Sequence, residues 1–446
     1  MRALLTLGWL VLLLVYFQFW DLAGVVPGVP LWSLGFLAAF VATIAATGGR
    51  AAPGATAERR RVMGWMVLLA AATLARALIP TVAIKDAIVH TVVFVNVVDV
   101  VVPLWMLTRA LIVVWTGWAR VAVLAGLPAL LAVGGWLFVI RQPGTSFGGP
   151  LPAQTPAEDS LAAELRTHVT RLAGTFGERH YRRRAALDGA AAYIDSVLAA
   201  AGCGVRSLPF TADSQEFRNI EAAVPAATRR DVVLVIGAHY DSAEGAPGAD
   251  DNASGTAVGL ALATRLCHSP QPRAIRFVFF ANEEPPFFAS ERMGSYAYAR
   301  EVATEEVGTV EMVSLETMGY FTDEAGSQRY PFPFNLFYPD RGNFLGFVGN
   351  LQSRPLLHRA IRAFRRHARL PSEGAAAPSW IPGVGWSDHL SFWKRGFRAI
   401  MITDTAPFRN PHYHLRTDTP DRLDYARMAR LTAALVPTVS ELAGAD

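Results

Sequence analysis

Cysteine and charged residues are both scarce in this sequence. Only Cys203 and Cys267 occur among 446 residues, too few for a disulfide framework or a cysteine-built zinc site. Two buried free thiols are expected, with one disulfide as the alternative. Charged residues make up 17 %, against about 25 % in a typical soluble protein, and mean hydropathy is +0.26. This composition excludes a disordered or collagen-like chain and argues against an ordinary cytosolic enzyme.

The basic excess of the chain lies in its apolar first third. The net charge is +4, yet ten bases and only four acids precede Gln142, so the remainder carries more acids than bases. Basic residues beside long apolar runs are typical of segments that set membrane topology. We therefore expect no nucleic-acid partner.

Residues 1–141 are predicted to form an all-α transmembrane region of about five helices. A spanning helix needs about 20 mostly apolar residues, and five runs reach or approach this length. They are 3–20, 31–48, 63–83, 87–107 and 119–140. A cleaved signal peptide is the alternative for the first run, but the run is long for one and further runs follow. Membrane lipid is therefore an expected partner.

The basic residues also predict the orientation of this region. With the N terminus inside, most of them fall in inner segments, and five spans place everything after Arg141 outside the cytoplasm. A miscount by one span would reverse this. Arg76 and Asp99 lie within predicted spans at similar distances from the turn at 84–86. They either pair with each other or snorkel and contact other helices separately.

Residues 142–157 are rich in Pro, Gly, Ser and Ala and are predicted to form a linker. From 158 to 446 apolar runs alternate with amphipathic segments, which predicts a three-layer α/β/α sandwich with a mostly parallel central sheet. The predicted strands are 232–238, 275–281, 311–315 and 399–403. The predicted helices are 159–174, 187–201, 254–267, 295–303, 354–367 and a final helix from 421.

Polar residues that can bind a metal follow each of these four strands. They are His239 and Asp241, then Glu283 and Glu284, then Glu316, then His412 and His414, while Asp250 and Asp251 lie in the loop after the first strand. In an open α/β sheet, ligands bind beyond the carboxyl ends of the strands. Nitrogen and oxygen donors without thiolates suit zinc or a similar divalent ion. A cation would also offset the repulsion between the adjacent glutamates.

Several segments resemble the co-catalytic zinc aminopeptidases of the bacterial leucyl aminopeptidase and aminopeptidase Y type. These segments are His239-Tyr240-Asp241-Ser242, Gly248 through Gly255, Asn282-Glu283-Glu284, Gly294-Ser295 and Tyr413-His414 through Asp418-Thr419-Pro420. The resemblance covers roughly 160–446 and includes Arg218-Asn219-Ile220, which is similar to the family's strand ahead of the first ligand.

The resemblance implies two divalent metal ions, with zinc expected. Asp251 would bridge them, His239 and Glu316 would complete one site, and Glu284 and His414 would complete the other. Glu283 would be the general base. Asp241 would orient His239, as metal-bound histidines usually require.

One position and one segment depart from the family pattern, and a few further residues have more than one interpretation. Glu316 stands where many members have aspartate, and residues 285–293 are longer and more apolar than in compact members. That segment forms either a substrate wall or simple packing against the sheet. Asp388, in a Ser-Asp-His segment, either joins a hydrogen-bond network near the site or is structural. Aromatic packing is expected for 330–343, with a pocket wall as the alternative, and His412 is interpreted as a loop residue.

The expected function is a membrane-anchored, multi-pass aminopeptidase that hydrolyses N-terminal peptide bonds outside the cytoplasm with metal-activated water. A glutaminyl-peptide cyclase shares this fold but keeps one zinc, whereas all five positions of a two-metal site are filled here. A catalytically silent receptor disagrees with an intact Glu283. A transporter has little support from spans without an obvious repeat.

Overall fold

The computed structural model describes residues 133–446, except 306–307, 332–333 and 445–446, together with residues 122, 126, 129 and 130. Four predicted spans, part of the fifth, and the Arg76–Asp99 pair lie outside this part of the chain. Within it, no helix combines the length and apolarity that a membrane crossing requires. The chain divides into two compact units, 1–138 with 378–382 and 139–377 with 383–446. The second unit contains all predicted site residues.

Eight strands of the described residues form one mixed sheet in the order β1-β2-β4-β3-β5-β8-β6-β7. They are β1 Val205–Ala212, β2 Gln215–Val224, β3 Ala226–His239, β4 Gln271–Phe280, β5 Thr309–Glu316, β6 Leu345–Gly349, β7 Ser372–Ala376 and β8 Arg398–Thr403. The four predicted strands are the central ones, and they are parallel to one another. The prediction of a mostly parallel sheet is wrong at the margins, because β1–β2, β2–β4 and β6–β8 pair antiparallel.

Seven α-helices connect and flank these strands in the second unit's described residues. They are α1 Pro156–Val169, α2 Arg184–Ala200, α3 Gly255–Leu266, α4 Gly294–Val302, α5 Arg354–His367, α6 His389–Trp393 and α7 Tyr425–Gly444. The chain continues α1 as a wider helical turn through Thr170–Phe176. The last helix begins at Tyr425 rather than at 421, where Pro420–Arg422 forms a separate short turn.

Successive side chains of β4 pack against helices on opposite faces of the sheet. Successive strand side chains point to opposite faces of a sheet. Phe279 lies in the core cluster that also contains residues of α1, α3 and α7. The ring of Phe280 contacts Tyr298 of α4 and Phe392 of α6, at centroid distances of 5.8 and 6.4 Å. Helices therefore cover both faces, as predicted for a three-layer sandwich.

The predicted linker is hydrogen-bonded to the second unit along much of its length. Arg365 donates to the carbonyl oxygens of Pro143 and Gly144, both at 3.1 Å, and the Ser146 hydroxyl accepts from the Ser372 amide at 2.9 Å. Arg430 donates to the Pro152 carbonyl. This segment is thus a packed strap on the second unit rather than a free spacer.

Cys203 and Cys267 form a disulfide, so the expectation of two free thiols is wrong. Cys203 lies between α2 and β1, and Cys267 directly follows α3. Gly202 turns the chain after α2 with a φ of 75°, a conformation that favours glycine. The Cα atoms of the two cysteines lie 5.5 Å apart, a normal separation for a bridge. Sequence spacing alone could not show this proximity, which depends on how α2 and α3 pack.

Candidate metal centre

The candidate site lies at the carboxyl ends of the four central strands. His239 is the last residue of β3 and Glu316 the last of β5, while Glu283 and Glu284 follow β4. After β4, Asn282 takes a φ of 61°, which turns the chain so that the two glutamates reach the site. His414 comes from the long loop after β8. The parallel alignment of these strands brings residues from distant parts of the sequence to one edge.

Asp251 joins two clusters of possible metal ligands. Its Oδ1 lies 3.3 Å from His239 Nε2, and its Oδ2 lies 3.0 Å from His414 Nε2. The first cluster is completed by Glu316, whose Oε2 lies 3.3 Å from His239 Nε2. The second is completed by Glu284, whose Oε2 lies 3.2 Å from His414 Nε2. In each cluster, one donor atom per residue falls within 4.8 Å of the others.

These residues fit a pair of divalent cations. Each cluster offers one imidazole nitrogen and carboxylate oxygens, a donor set that suits zinc. Glu284 Oε1 and His414 Nε2 are buried atoms without a hydrogen-bond partner among the described residues. Buried polar atoms normally have partners, so a cation at this place would satisfy both. The five predicted ligands therefore come together, and their metal-binding roles stay a prediction.

Asp241 lies where it can orient both a ligand and the predicted base. Its Oδ1 lies 3.4 Å from His239 Nδ1. Its two carboxylate oxygens also accept the backbone N–H groups of Glu283 and Glu284, each at 3.1 Å. The Glu283 carboxylate faces the first cluster, with Oε2 3.9 Å from His239 Nε2. One buried carboxylate thus fixes the ends of β3 and β4 relative to each other.

A second carboxylate, Asp418, holds the Asp251 turn in the same manner. Its Oδ1 accepts the Asp250 amide at 2.9 Å, and its Oδ2 accepts the Asp251 amide at 3.2 Å. Asn252 ties the same turn to β5, donating to the Leu315 carbonyl at 2.9 Å and accepting from Thr317 N at 3.0 Å. The sequence patterns predict a role for neither Asn252 nor Asp418, although both lie in the segments that carry the resemblance.

Burial and mutual repulsion shift the pKa values of the carboxylates. Burial raises the pKa of Glu283 well above its usual value, and burial together with the Asp251 charge raises that of Glu284 to about 7. Burial also raises the pKa of Glu316. Asp251 is the exception: burial is outweighed by the close imidazoles of His239 and His414, which hold its pKa below the usual range. Without a cation, several negative charges cannot coexist here.

Both histidines are strong bases in this environment. Burial disfavours the His414 imidazolium, but Glu284 and Asp251 outweigh it and raise the pKa to about 11. Burial likewise opposes a charge on His239, and the carboxylates of Glu316 and Glu283 raise its pKa well above the usual value. The site therefore attracts positive charge strongly, whether proton or metal.

The remaining predicted residues take different places. Asp388 is fully buried at the start of α6, and burial raises its pKa to about 7, but its carboxylate makes no hydrogen bond to the described ligand side chains. Its neighbour Ser387 instead donates to Glu316 Oε2 at 2.6 Å. His412 bonds Thr417 within the loop at 2.9 Å. Phe287 packs its ring against Tyr181 and Phe217, so part of the 285–293 segment packs against neighbouring aromatic residues.

Comparison with known proteins agrees with this geometry. Residues 219–439 match the model of peptidase family M28. An uncharacterized protein of Escherichia coli, YfbL, is 37 % identical over 312 residues, covering 67 % of this chain and 95 % of its own. The chain belongs to peptidase family M28. As an M28 member it is a metal-dependent hydrolase of the aminopeptidase type.

Other M28-like relatives agree at lower identity. A probable leucine aminopeptidase of Arthroderma otae is 27 % identical over 309 residues, covering 65 % of this chain and 73 % of its own. The zinc aminopeptidase BSAP of Bacillus subtilis superposes with a TM-score of 0.51 at 15 % identity, over 67 % of this chain and 97 % of its own. At that identity the structural likeness shows the fold alone.

Proposed function

We propose that the second unit is a two-metal aminopeptidase that cleaves the N-terminal residue from peptides. The observation that carries the proposal is the position of Asp251, with one oxygen toward His239 and the other toward His414. A shared carboxylate between two histidines is the arrangement that a two-metal site needs. His239 and Glu316 would hold one ion, and Glu284 and His414 would hold the other.

Two such ions, when bound, would supply an acidified water molecule and polarise the scissile carbonyl. The residues of the chain hold and transfer the proton in this reaction. Glu283 lies beside the first cluster without belonging to either one, and its raised pKa suits a group that accepts a proton from water and returns it to the leaving amine. Asp241 holds its backbone amide, so the carboxylate stays in place through the cycle.

Replacing Glu283 tests this assignment. Glu283→Gln keeps the size of the side chain but cannot take a proton, so we expect full metal content and a loss of turnover of about 100-fold or more. Glu301→Gln, an exposed change on α4, serves as the matched control and should keep both. Metal content is measured by elemental analysis and turnover with aminoacyl reporter substrates. Retained turnover in Glu283→Gln contradicts the proposal.

A substrate panel separates the aminopeptidase from other exopeptidases of similar chemistry. We expect cleavage of free-amine aminoacyl reporters and none of the same reporters with an acetylated amine. Release of the carboxyl-terminal residue from N-acylated peptides would instead identify a carboxypeptidase. Cyclisation of N-terminal glutamine without hydrolysis would identify a cyclase.

We further propose that the chain is anchored in a membrane with the second unit outside the cytoplasm. The apolar runs before residue 141 and their basic flanks support this orientation. The Cys203–Cys267 disulfide supports it independently, because disulfides persist mainly in oxidising compartments. A C-terminal tag should be digested by protease in right-side-out membrane vesicles. Digestion only in inverted vesicles would contradict the orientation.

A further inference from the structure

The chain enters the second unit at the edge of its sheet. Gln142 Nε2 donates to the carbonyl oxygens of Val139 and Gly374, at 3.0 and 3.1 Å. Gly374 lies in β7, the last strand of the sheet. The Arg365 side chain of α5 holds the next two residues of the strap through their carbonyl oxygens. The polypeptide that follows the last predicted span is thus fixed to β7 and α5 rather than left free.

Two exposed apolar side chains lie beside this point. The Tyr338 hydroxyl donates to the same Gly374 carbonyl at 2.6 Å. Leu336 and Phe337 directly precede Tyr338 and are 66 % and 48 % exposed. The Tyr338 ring stacks with Tyr330 and Phe334, and this stack holds the turn while Leu336 and Phe337 remain in solvent. Exposed apolar side chains on an otherwise packed turn indicate a contact surface.

The neighbouring helix α5 carries a dense positive charge. Six arginines occur between positions 354 and 369, and Glu373 is the sole acidic residue between 345 and 376. Glu311 and Glu441, from other elements, pair with Arg359 and Arg366. Arg362 and Arg369 are exposed. The apolar face of α5 is buried on the sheet, so its outer face presents cationic side chains.

We propose that the surface made of Leu336, Phe337, Arg362 and Arg369 rests on a lipid bilayer with anionic headgroups. The proposal rests on the membrane anchoring proposed above. Exposed apolar side chains suit the acyl-chain boundary, and exposed arginines suit negatively charged headgroups. We call these four residues the docking surface.

The attachment of the chain favours a bilayer over a protein partner. The strap fixes β7 and α5 at the position where the last predicted span ends, within three residues of Gln142. A docking surface close to Gln142 would reach the bilayer without any need for a long spacer.

Spin labels at single introduced cysteines test the proposal on the full chain. Both native cysteines are in the disulfide, so an added cysteine is the reactive thiol. The label positions are Leu336→Cys and Phe337→Cys. The matched control is Ser207→Cys, an exposed position on β1 at the opposite edge of the sheet. The chain is reconstituted in phosphatidylcholine vesicles with and without phosphatidylglycerol, and label collisions with oxygen and with a water-soluble nickel chelate are compared.

We expect labels at 336 and 337 to collide more with oxygen and less with nickel than the label at 207. The difference should grow with phosphatidylglycerol and shrink in Arg362→Glu/Arg369→Glu, while the label at 207 and peptidase turnover stay unchanged. Equal nickel access at all three positions in chains that float with the vesicles would overturn the docking surface and leave the anchor intact. Failure of the chain to float with vesicles would overturn both. Protection at 336 and 337 without vesicles would show a protein contact and also overturn the proposal.

Discussion

At the scale of the residue, the candidate centre depends on side chains that position its ligands. Asp241 accepts two consecutive amides after β4, and Asp418 accepts two consecutive amides before α3. A carboxylate that accepts two adjacent N–H groups fixes the direction of that peptide segment. Asp241 and Asp418 therefore orient the predicted ligands without being ligands themselves.

Replacing Asp418 with asparagine should weaken metal binding. An amide has one accepting oxygen and presents an NH2 group to the second backbone N–H, so the Asp250–Asp251 turn loses one of two bonds. We expect zinc affinity to fall by about 10- to 100-fold, the range for partners of metal ligands. Competition with a chromophoric chelator measures it. Asp421→Asn, a nearby exposed change, is the control, and equal affinities in both variants would remove the positioning role.

The His414 imidazole predicts how metal binding depends on pH. Its pKa is about 11 in the metal-free protein, so the ring carries a proton at pH 7 that a metal must displace. A raised pKa means that the proton is held below pH 11, and affinity for metal therefore rises with pH. We expect roughly a tenfold gain per pH unit for each proton released. Titration calorimetry in buffers of different ionisation enthalpy counts these protons, and a count of zero contradicts the assignment.

At the scale of the element, sequence patterning predicted the central strands and failed at the sheet margins. β3, β4 and β8 contain apolar runs at 232–238, 277–280 and 399–402, and β5 is buried along most of its length, as is typical of strands covered on both faces. β1 and β2 carry many exposed polar residues, and β7 reads Ser-Glu-Gly-Ala-Ala, without apolar alternation. Their pairing follows from neighbours in space rather than from local pattern.

The site residues likewise divide into those that the sequence predicted and those that it missed. The five predicted ligands and Glu283 were assigned through the family resemblance, whose segments lie at or beyond the carboxyl ends of the four recognisable strands. Asn252 and Asp418 were missed as positioning residues because their partners are backbone amides and carbonyls of segments distant in sequence, such as Leu315 O in β5. Such contacts depend on loop geometry that no periodicity reports. The disulfide was missed because the two cysteines are brought together by the packing of α2 and α3, which sequence spacing does not report.

The disulfide joins the end of α3 to the start of β1, and its removal should destabilise this side of the unit. Cys203 and Cys267 are separated by 64 positions, so the bridge closes a long loop of the unfolded chain. For the Cys203→Ala/Cys267→Ala variant we expect a loss of about 2–4 kcal/mol in the free energy of unfolding. Urea unfolding of the full chain measures it. Reduction of the wild-type chain should lower the free energy of unfolding by a similar amount. An unchanged urea midpoint in both the double variant and the reduced chain would show that the bridge contributes nothing to stability.

At the scale of the whole molecule, the candidate centre connects segments that are far apart in the sequence of the second unit. Its ligands come from β3, the turn before α3, the segment after β4, β5 and the loop after β8. In the metal-free protein these residues crowd several carboxylates into a buried space, which is unfavourable. Bound cations would remove that cost and link the elements to one another, so metal and global stability should be coupled.

Metal removal should therefore lower the melting temperature of the whole second unit. A ligand that binds only the folded state stabilises it by about 2.7 kcal/mol at a hundredfold excess over Kd. We expect Tm to fall on chelation, to recover with Zn²⁺, and to rise with the logarithm of free zinc. Because Asp251 faces both histidines, Asp251→Asn should abolish most of the zinc-dependent shift, whereas Glu283→Gln should retain it. Calorimetric scans of the wild-type chain, Asp251→Asn and Glu283→Gln at fixed free zinc measure these shifts in Tm. A full zinc-dependent shift in Asp251→Asn would show that the two clusters hold their ions independently of this carboxylate.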